Sequence, residues 1–256
     1  MMVYPTAIIS KKAKIASNVE IGPYTVVEDN VEIGSGTKIG SFCTLTGYTV
    51  IGKNNQIFSN TVIGSIPQDL KYKGEKSRLI IGDGNRIREF VTINIGTSAR
   101  GKTIIGNNNL IMAYAHIAHD CIINNDTIIA NAGTFAGHVL VEDNAIIGGL
   151  TGVHQFVKIG RFAIIGGCSK VVQDVPPYSV SDGRPVRVRG VNIEGLKRAG
   201  FDTGKRNILR KAFKILFFSG HPLSKAVKIL EKELEGIPEV NYLIEFVQNS
   251  KRGICI

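Results

Sequence analysis

The run Ile21-Gly22-Pro23-Tyr24-Thr25-Val26-Val27-Glu28-Asp29-Asn30-Val31-Glu32-Ile33-Gly34-Ser35-Gly36-Thr37-Lys38-Ile39-Gly40 places a branched aliphatic residue at every sixth position. Extended outward in the same step, from Val3 to Val171, the pattern visits 29 positions, of which 25 are Val, Ile or Leu and one is Phe135. The other three, Asp69, Glu75 and Ala99, fall in segments 64–80 and 94–104, which read as inserted loops. Four residues after each aliphatic position comes a second slot filled mostly by small residues, among them Thr25, Thr37, Cys43, Thr49, Thr61, Ala115, Cys121 and Ala145. Alternate residues of a strand face one way, so the small residue and the aliphatic one two places later both point inward.

Glycine follows the aliphatic position at 22, 34, 40, 52, 64, 82, 106, 148, 160 and 166. There it is expected to let the chain turn a tight corner, because it has no Cβ to clash. Three hexads make an 18-residue triangular coil, and hexapeptide repeats of this kind specify a parallel β-helix. The Ile/Val-Gly form resembles the left-handed variety, an exception to the right-handed crossover rule. The in-phase hexads predict about nine coils, a prism roughly 40 Å long at ~4.8 Å per coil.

The period stops at Asp174-Val175-Pro176-Pro177. Helical spacing takes over at Ile208, Ala212 and Leu216, then at Leu223, Val227, Leu230 and Leu234, then at Val240, Leu243 and Val247. The expected organisation is an all-β left-handed β-helix over 1–176, a basic connector over 177–190 and a small α-helical domain over 191–256. The helices would cover the open end of the prism, as solenoids require.

At 256 residues and 43% hydrophobic content the chain can bury a sizeable core. The N-terminus lacks the order of a signal peptide, no apolar run is long enough to span a membrane, and Cys43, Cys121, Cys168 and Cys255 form no CxxC pair. A reducing cytoplasm is the expected location, without stable membrane insertion. The net charge is +10, and from Arg184 onward 15 Lys and Arg stand against 7 Asp and Glu. That bias suits an anionic ligand or an acidic partner as well as a solvated helical surface. The helices read as packing elements, and no nucleic acid partner is expected.

Four of the five histidines, His116, His119, His138 and His154, fall within 39 residues and at outward-facing places in the repeat. With 18 residues per coil, His119, Gly137 and Gln155 share one column on three successive coils, and His138 and His154 each lie one residue from it. Imidazoles stacked on neighbouring coils, about 5 Å apart, form the density of titratable groups seen at active sites.

Around these histidines lie the segments Tyr114-Ala115-His116-Ile117-Ala118-His119-Asp120-Cys121, Ala136-Gly137-His138 and Val153-His154-Gln155-Phe156. Together with Pro67-Gln68-Asp69-Leu70-Lys71-Tyr72, Asp174-Val175-Pro176-Pro177-Tyr178 and Asn192-Ile193-Glu194-Gly195-Leu196-Lys197-Arg198, they resemble the UDP-N-acetylglucosamine O-acyltransferases, hexapeptide-repeat enzymes of the first step of lipid A synthesis. The likeness covers nearly the whole chain. It implies transfer of a 3-hydroxyacyl chain from acyl carrier protein to the sugar 3-hydroxyl, with no cofactor beyond the phosphopantetheine that carries the donor and no metal. It also implies a homotrimer with the active site between neighbouring prisms.

By the same resemblance His119 is the general base, a task suited to imidazole chemistry. Asp120 orients it, although adjacent strand residues point apart, so the pairing needs a corner. The Gly137 N–H stabilises the oxyanion. His116, His138, His154 and Gln155 contact the sugar nucleotide, as do Gln68, Asp69 and Lys71, while Asn192, Glu194 and Arg198 serve its phosphate end. Gly167 occupies the place where the family sets acyl length, and with no side chain there a long acyl group is expected. The family often carries a second arginine after the position of Arg198, where this chain has Ala199. Two other enzymes remain open on these residues: a related N-acyltransferase of the same pathway, and a β-helical carbonic anhydrase with three histidines on zinc across a subunit boundary.

Overall fold

A computed structural model describes residues 2–256; Met1, the first residue of the expected prism, lies outside the described residues. The first two thirds form a left-handed parallel β-helix whose short strands alternate among three sheets. Sheet A begins at Met2–Val3, sheet B at Ile8–Ile9 and sheet C at Lys14–Ile15. Residue partners lie 18 apart, as in Ile9↔Val27 and Ile15↔Ile33. Tyr48 pairs instead with Arg78, 30 positions on, and Arg78 with Lys102, 24 on. The two loops therefore add twelve and six residues, whole multiples of the hexad, which is why the phase survives them.

Ile21, Leu45, Ile63, Ile87, Ile117 and Ile147 are buried, and so are the small residues Thr25, Thr37, Cys43 and Thr49. Burying a hydroxyl without a partner costs about 1–3 kcal/mol. Each coil avoids that cost by bonding to the next: Thr25 Oγ1 donates to the Gly40 carbonyl at 2.7 Å and accepts from the Cys43 N–H at 3.1 Å.

The corners correct one expectation. Of the glycines that follow the aliphatic position only Gly64 has a left-handed φ, at 86°. Positive φ belongs instead to the residue three places after the aliphatic one, such as Tyr24 at 58°, Phe42 at 57° and Asp120 at 59°. Such a conformation costs a non-glycine residue roughly 1–2 kcal/mol. Bonds and stacking between coils offset it: the Phe42 N–H donates to the Pro23 carbonyl at 3.0 Å, and the rings of Tyr24 and Phe42 stack at 5.1 Å. Glycine is needed for a different reason. A Cβ on Gly22 would lie 2.6 Å from the Gly40 carbonyl carbon, so these positions let adjacent coils stack.

Residues 177–190, the basic connector, carry regular structure. Ser179–Gly183 joins sheet A in parallel, with Ile164 opposite Val180, and Val186–Val191 folds back antiparallel on it. Val186 and Val188 face in while Arg187 and Arg189 face out, a two-residue alternation that succeeds the hexad. Four helices follow: α1 (Ile193–Arg198), α2 (Thr203–Phe217), α3 (Leu223–Glu233) and α4 (Pro238–Gln248). The spacing had predicted the last three, and α1 is additional. They dock on the prism partly through Arg161, whose guanidinium lies 3.8 Å from the Tyr242 ring centre and whose Nε donates to Tyr178 Oη at 2.8 Å. Among the described residues no helix is long and apolar enough to cross a membrane.

Candidate active site

The strand His116–Ile117 of sheet B leads straight into a corner. Asp120 occupies the left-handed position there, and that turn brings its carboxylate back beside the preceding side chain. The corner that the His119–Asp120 pair requires is therefore present, with His119 Nδ1 2.9 Å from Asp120 Oδ2. Asp120 is fully buried, so its charge needs donors. Thr97 supplies two, its N–H to Oδ1 at 3.0 Å and its hydroxyl to Oδ2 at 2.6 Å. Burial pushes the Asp120 carboxyl up, but the bonds from Thr97 and His119, aided by His138, outweigh it and hold the group below the usual carboxylate range. An ionised acceptor at Nδ1 makes that nitrogen the donor, which leaves the Nε2 lone pair of His119 free.

One coil on, Gly137 packs directly against this ring: a Cβ built on it would lie 2.5 Å from His119 Cε1 and 2.6 Å from Nε2. The predicted column of His119 and Gly137 is thus a contact. The Gly137 N–H has no hydrogen-bond partner among the described residues. His138 follows at the next corner, its ring perpendicular to that of His119 at 5.2 Å and stacked on Phe156 at 4.5 Å. Burial pushes the His138 imidazole below its ordinary value, against the partial pull of Asp120, whose Oδ2 is 3.7 Å from His138 Nε2. His116 is also lowered, first by burial and then by His119; its Nδ1 lies 2.7 Å from Thr92 Oγ1.

The first inserted loop closes over this strip. Asp69 Oδ2 is 4.0 Å from His119 Nε2. Gln68, Asp69, Lys71, His116, His119, Gly137, His154 and Gln155 line one cleft of about 670 Å³. A smaller cavity of about 310 Å³ shares Asp69, Lys71, His119 and Gln155 and is lined also by His138. Five expected residues line neither cavity: Asp120, which is buried behind His119, and Gly167, Asn192, Glu194 and Arg198. Glu194 and Arg198 are exposed on α1. Asn192 is occupied within the chain, where Oδ1 caps α1 by accepting from the Gly195 N–H at 3.0 Å and Nδ2 donates to the Phe162 carbonyl at 2.9 Å. Thr97 lies in the second inserted loop, outside the repeat that located the four clustered histidines.

His119, Asp120 and His138 are the described residues close enough to share a metal, with ligand atoms within 4.8 Å of one another. Within one chain this is two imidazoles and a carboxylate, whereas a zinc anhydrase uses three converging imidazoles. Both Asp120 oxygens already accept from Thr97, so the cluster is satisfied as a hydrogen-bonded unit.

Residues 174–255 match the family described as Udp N-acetylglucosamine O-acyltransferase, Domain 2. Residues 12–47 and 102–133 match the bacterial transferase hexapeptide repeats. The acyl-[acyl-carrier-protein]–UDP-N-acetylglucosamine O-acyltransferase of Thermodesulfovibrio yellowstonii is 52% identical over 254 residues, 99% of this chain and 98% of that one. Among solved structures, LpxA of Bacteroides fragilis superposes with a TM-score of 0.97 at 44% identity, and LpxA of Acinetobacter baumannii with 0.96 at 43%, each over 100% of both chains. Matched in sequence along almost its entire length and in the path of every coil, the chain belongs to the UDP-N-acetylglucosamine O-acyltransferase family.

Proposed function

We propose that the protein transfers a (3R)-3-hydroxyacyl chain from acyl carrier protein to the 3-hydroxyl of UDP-N-acetylglucosamine, the first step of lipid A biosynthesis. The observation that carries this reading is the His119–Asp120 pair at the cleft wall, with the Gly137 N–H beside it. His119 Nε2 takes the proton of the sugar 3-hydroxyl as the oxygen attacks the thioester carbonyl. The carbonyl oxygen becomes an oxyanion facing the Gly137 N–H. Collapse breaks the carbon–sulfur bond, and the leaving thiolate takes the proton back from His119. Asp120 holds the imidazole in the productive tautomer and balances its transient charge. Every proton is thus carried by groups of the chain, and the reaction needs no resident metal. Mass spectrometry of the product formed from UDP-N-acetylglucosamine and a mixture of 3-hydroxyacyl carrier proteins tests the reading. Acylation confined to a 3-amino analogue would instead point to the related N-acyltransferase.

The working unit is a homotrimer in the cytoplasm. The corner between sheets A and B supports this, because it presents Tyr24, Phe42, Phe90, Tyr114 and Leu150 along one edge, between 45% and 67% exposed. An apolar ridge of this kind needs covering, and a second prism fits it in length and repeat. The trimer also explains why Gly167, Glu194 and Arg198 stand outside the cleft of their own chain: they serve that of a neighbour. Light scattering should give three times 27.7 kDa; a stable, active monomer rules the trimer out.

Gly167 sets the donor length in the same reading. A Cβ there would approach only Gly149, at 3.2 Å from its carbonyl oxygen, so a side chain at this exposed site can point away from the prism. Without one, a long donor near fourteen carbons is preferred. Each buried methylene contributes ~0.8 kcal/mol, so four carbons favour the longer donor by roughly 3 kcal/mol, about two orders of magnitude at most. Gly167→Met should reverse the order, since a steric block rejects the long chain more than lost burial penalises the short one. The measurement is kcat/KM for ten- and fourteen-carbon donors on both proteins, and an unchanged ratio removes Gly167 from the site.

A further inference from the structure

After α4 the last residues of the chain do not trail into solvent. They run back along the final coil and are latched to Asp174, itself buried and bonded through Oδ1 to the Lys158 N–H at 2.7 Å. Ser250 Oγ donates to Asp174 Oδ2 at 2.7 Å, the Asp174 N–H donates to the Gly253 carbonyl at 2.9 Å, and the Cys255 N–H donates to the Asp174 carbonyl at 3.0 Å. Ile254 and Cys255 are buried beneath the latch. Arg252 therefore emerges from a segment held on both sides, and its guanidinium has little freedom to wander.

That guanidinium touches two residues of the cleft wall. Arg252 Nη2 donates to the Val172 carbonyl at 3.0 Å and lies 3.2 Å from His154 Nδ1. Val172 and His154 both line the cleft that holds His119. A guanidinium stays protonated and has no lone pair, so it can only donate. One Nη2 proton serves Val172 and the other faces the ring, which makes Nδ1 of His154 the acceptor. The Gln155 carbonyl, 3.3 Å from the same nitrogen, would favour the opposite tautomer. The contact from Arg252 is charge-assisted and that from the Gln155 carbonyl is not, so Arg252 prevails. A neutral imidazole that accepts at Nδ1 carries its proton on Nε2.

We propose that Arg252 is a positioning residue for substrate binding, locking His154 in the Nε2–H tautomer so that it offers the cleft a hydrogen-bond donor. The expected recipient is an oxygen of the sugar nucleotide, and this part rests on the function proposed above. The C-terminal tail is then part of the substrate site, although Arg252 touches no reacting atom.

The test joins a spectroscopic readout to a kinetic one. In the 15N spectrum of the labelled full-length protein, with His154→Gln used to assign the ring, Nδ1 should be pyridine-like and Nε2 pyrrole-like. In Arg252→Met that pattern should collapse toward a mixture of tautomers, and in Arg252→Lys it should be partly kept. KM for UDP-N-acetylglucosamine should rise about tenfold in Arg252→Met, the loss of one hydrogen bond, with kcat changed far less. Ser250→Ala, which loosens the latch without touching the guanidinium, should shift both readouts in the same direction but less. A wild-type spectrum with the proton on Nδ1 overturns the proposal, as does an unchanged KM in a folded Arg252→Met protein. The spectrum needs no substrate, so a failure of the sugar-nucleotide reading would appear separately, as wild-type protein without turnover.

Discussion

His119→Ala lowers turnover by about 10² to 10⁴-fold, the range expected when a general base is removed. The geometry limits how far the damage spreads. The ring is only 12% exposed, but it packs against the cleft wall rather than within the prism core, and the coil-to-coil bond at this residue, from the His138 N–H to the His119 carbonyl at 3.0 Å, is made by the backbone and survives truncation. Its removal leaves the buried Asp120 carboxylate with both bonds from Thr97, so the charge stays paired. The lost bond to a charged group costs about 1.5–3 kcal/mol of stability, a fall in Tm of about 3–10 °C for a chain of this size. KM should change little, because the proposed contacts of the sugar nucleotide with His116, His154 and the loop residues Gln68, Asp69 and Lys71 remain. Steady-state kinetics on purified protein with an unchanged circular dichroism spectrum checks the prediction. Turnover near that of the wild type would transfer the role of base elsewhere, and His138, 3.7 Å from the same carboxylate oxygen, would be next to examine.

The prism was legible because each coil repeats one decision, aliphatic and small residues inside and the rest outside, and because both insertions keep the phase. Periodicity gives position without dihedral angles. Glycine was thus placed correctly at 22, 34 and 52 but credited with the corner, whereas left-handed φ falls on Tyr24, Phe42 and Asn54. The hairpin at 179–191 escaped notice because its alternation, with Val186 and Val188 inside and Arg187 and Arg189 outside, is too short to stand out from a basic stretch.

At the site, coil arithmetic brought His119 to Gly137 and His138 to within a ring's width, since stacking follows from the 18-residue repeat alone. It could not find Thr97, whose loop has no phase, nor Arg252, whose contact with His154 spans 98 residues and depends on the tail folding back. Nor does a repeat within one chain say which side chains meet across copies, and this is why Gly167, Glu194 and Arg198 rest on family resemblance alone.

Gly137→Ala lowers kcat/KM by about 10² to 10³-fold although it adds a single methyl group. Gly137 does not use a left-handed φ, so alanine fits the backbone without strain. The conflict is with a side chain: the new Cβ would sit 2.5 Å from His119 Cε1 and 2.6 Å from Nε2, closer than carbon atoms tolerate, and the imidazole must swing away. Its bond to Asp120 then lengthens beyond 2.9 Å, and the base leaves the point where the 3-hydroxyl is presented. A misplacement of about 1 Å costs on the order of 10²-fold, and the methyl also crowds the N–H proposed to face the oxyanion, the loss of such a donor being worth up to about 10² to 10³. The stability cost should not exceed the loss of the His119–Asp120 bond, about 1.5–3 kcal/mol, because the ring can move into the cleft instead of into the core. A double variant separates this account from general damage. If alanine acts by displacing His119, then Gly137→Ala combined with His119→Ala loses little more than His119→Ala alone, since groups acting as one unit are far from additive. Full additivity of the two losses, or a Gly137→Ala protein with near-normal kcat/KM, would show that Gly137 and His119 do not work as a unit.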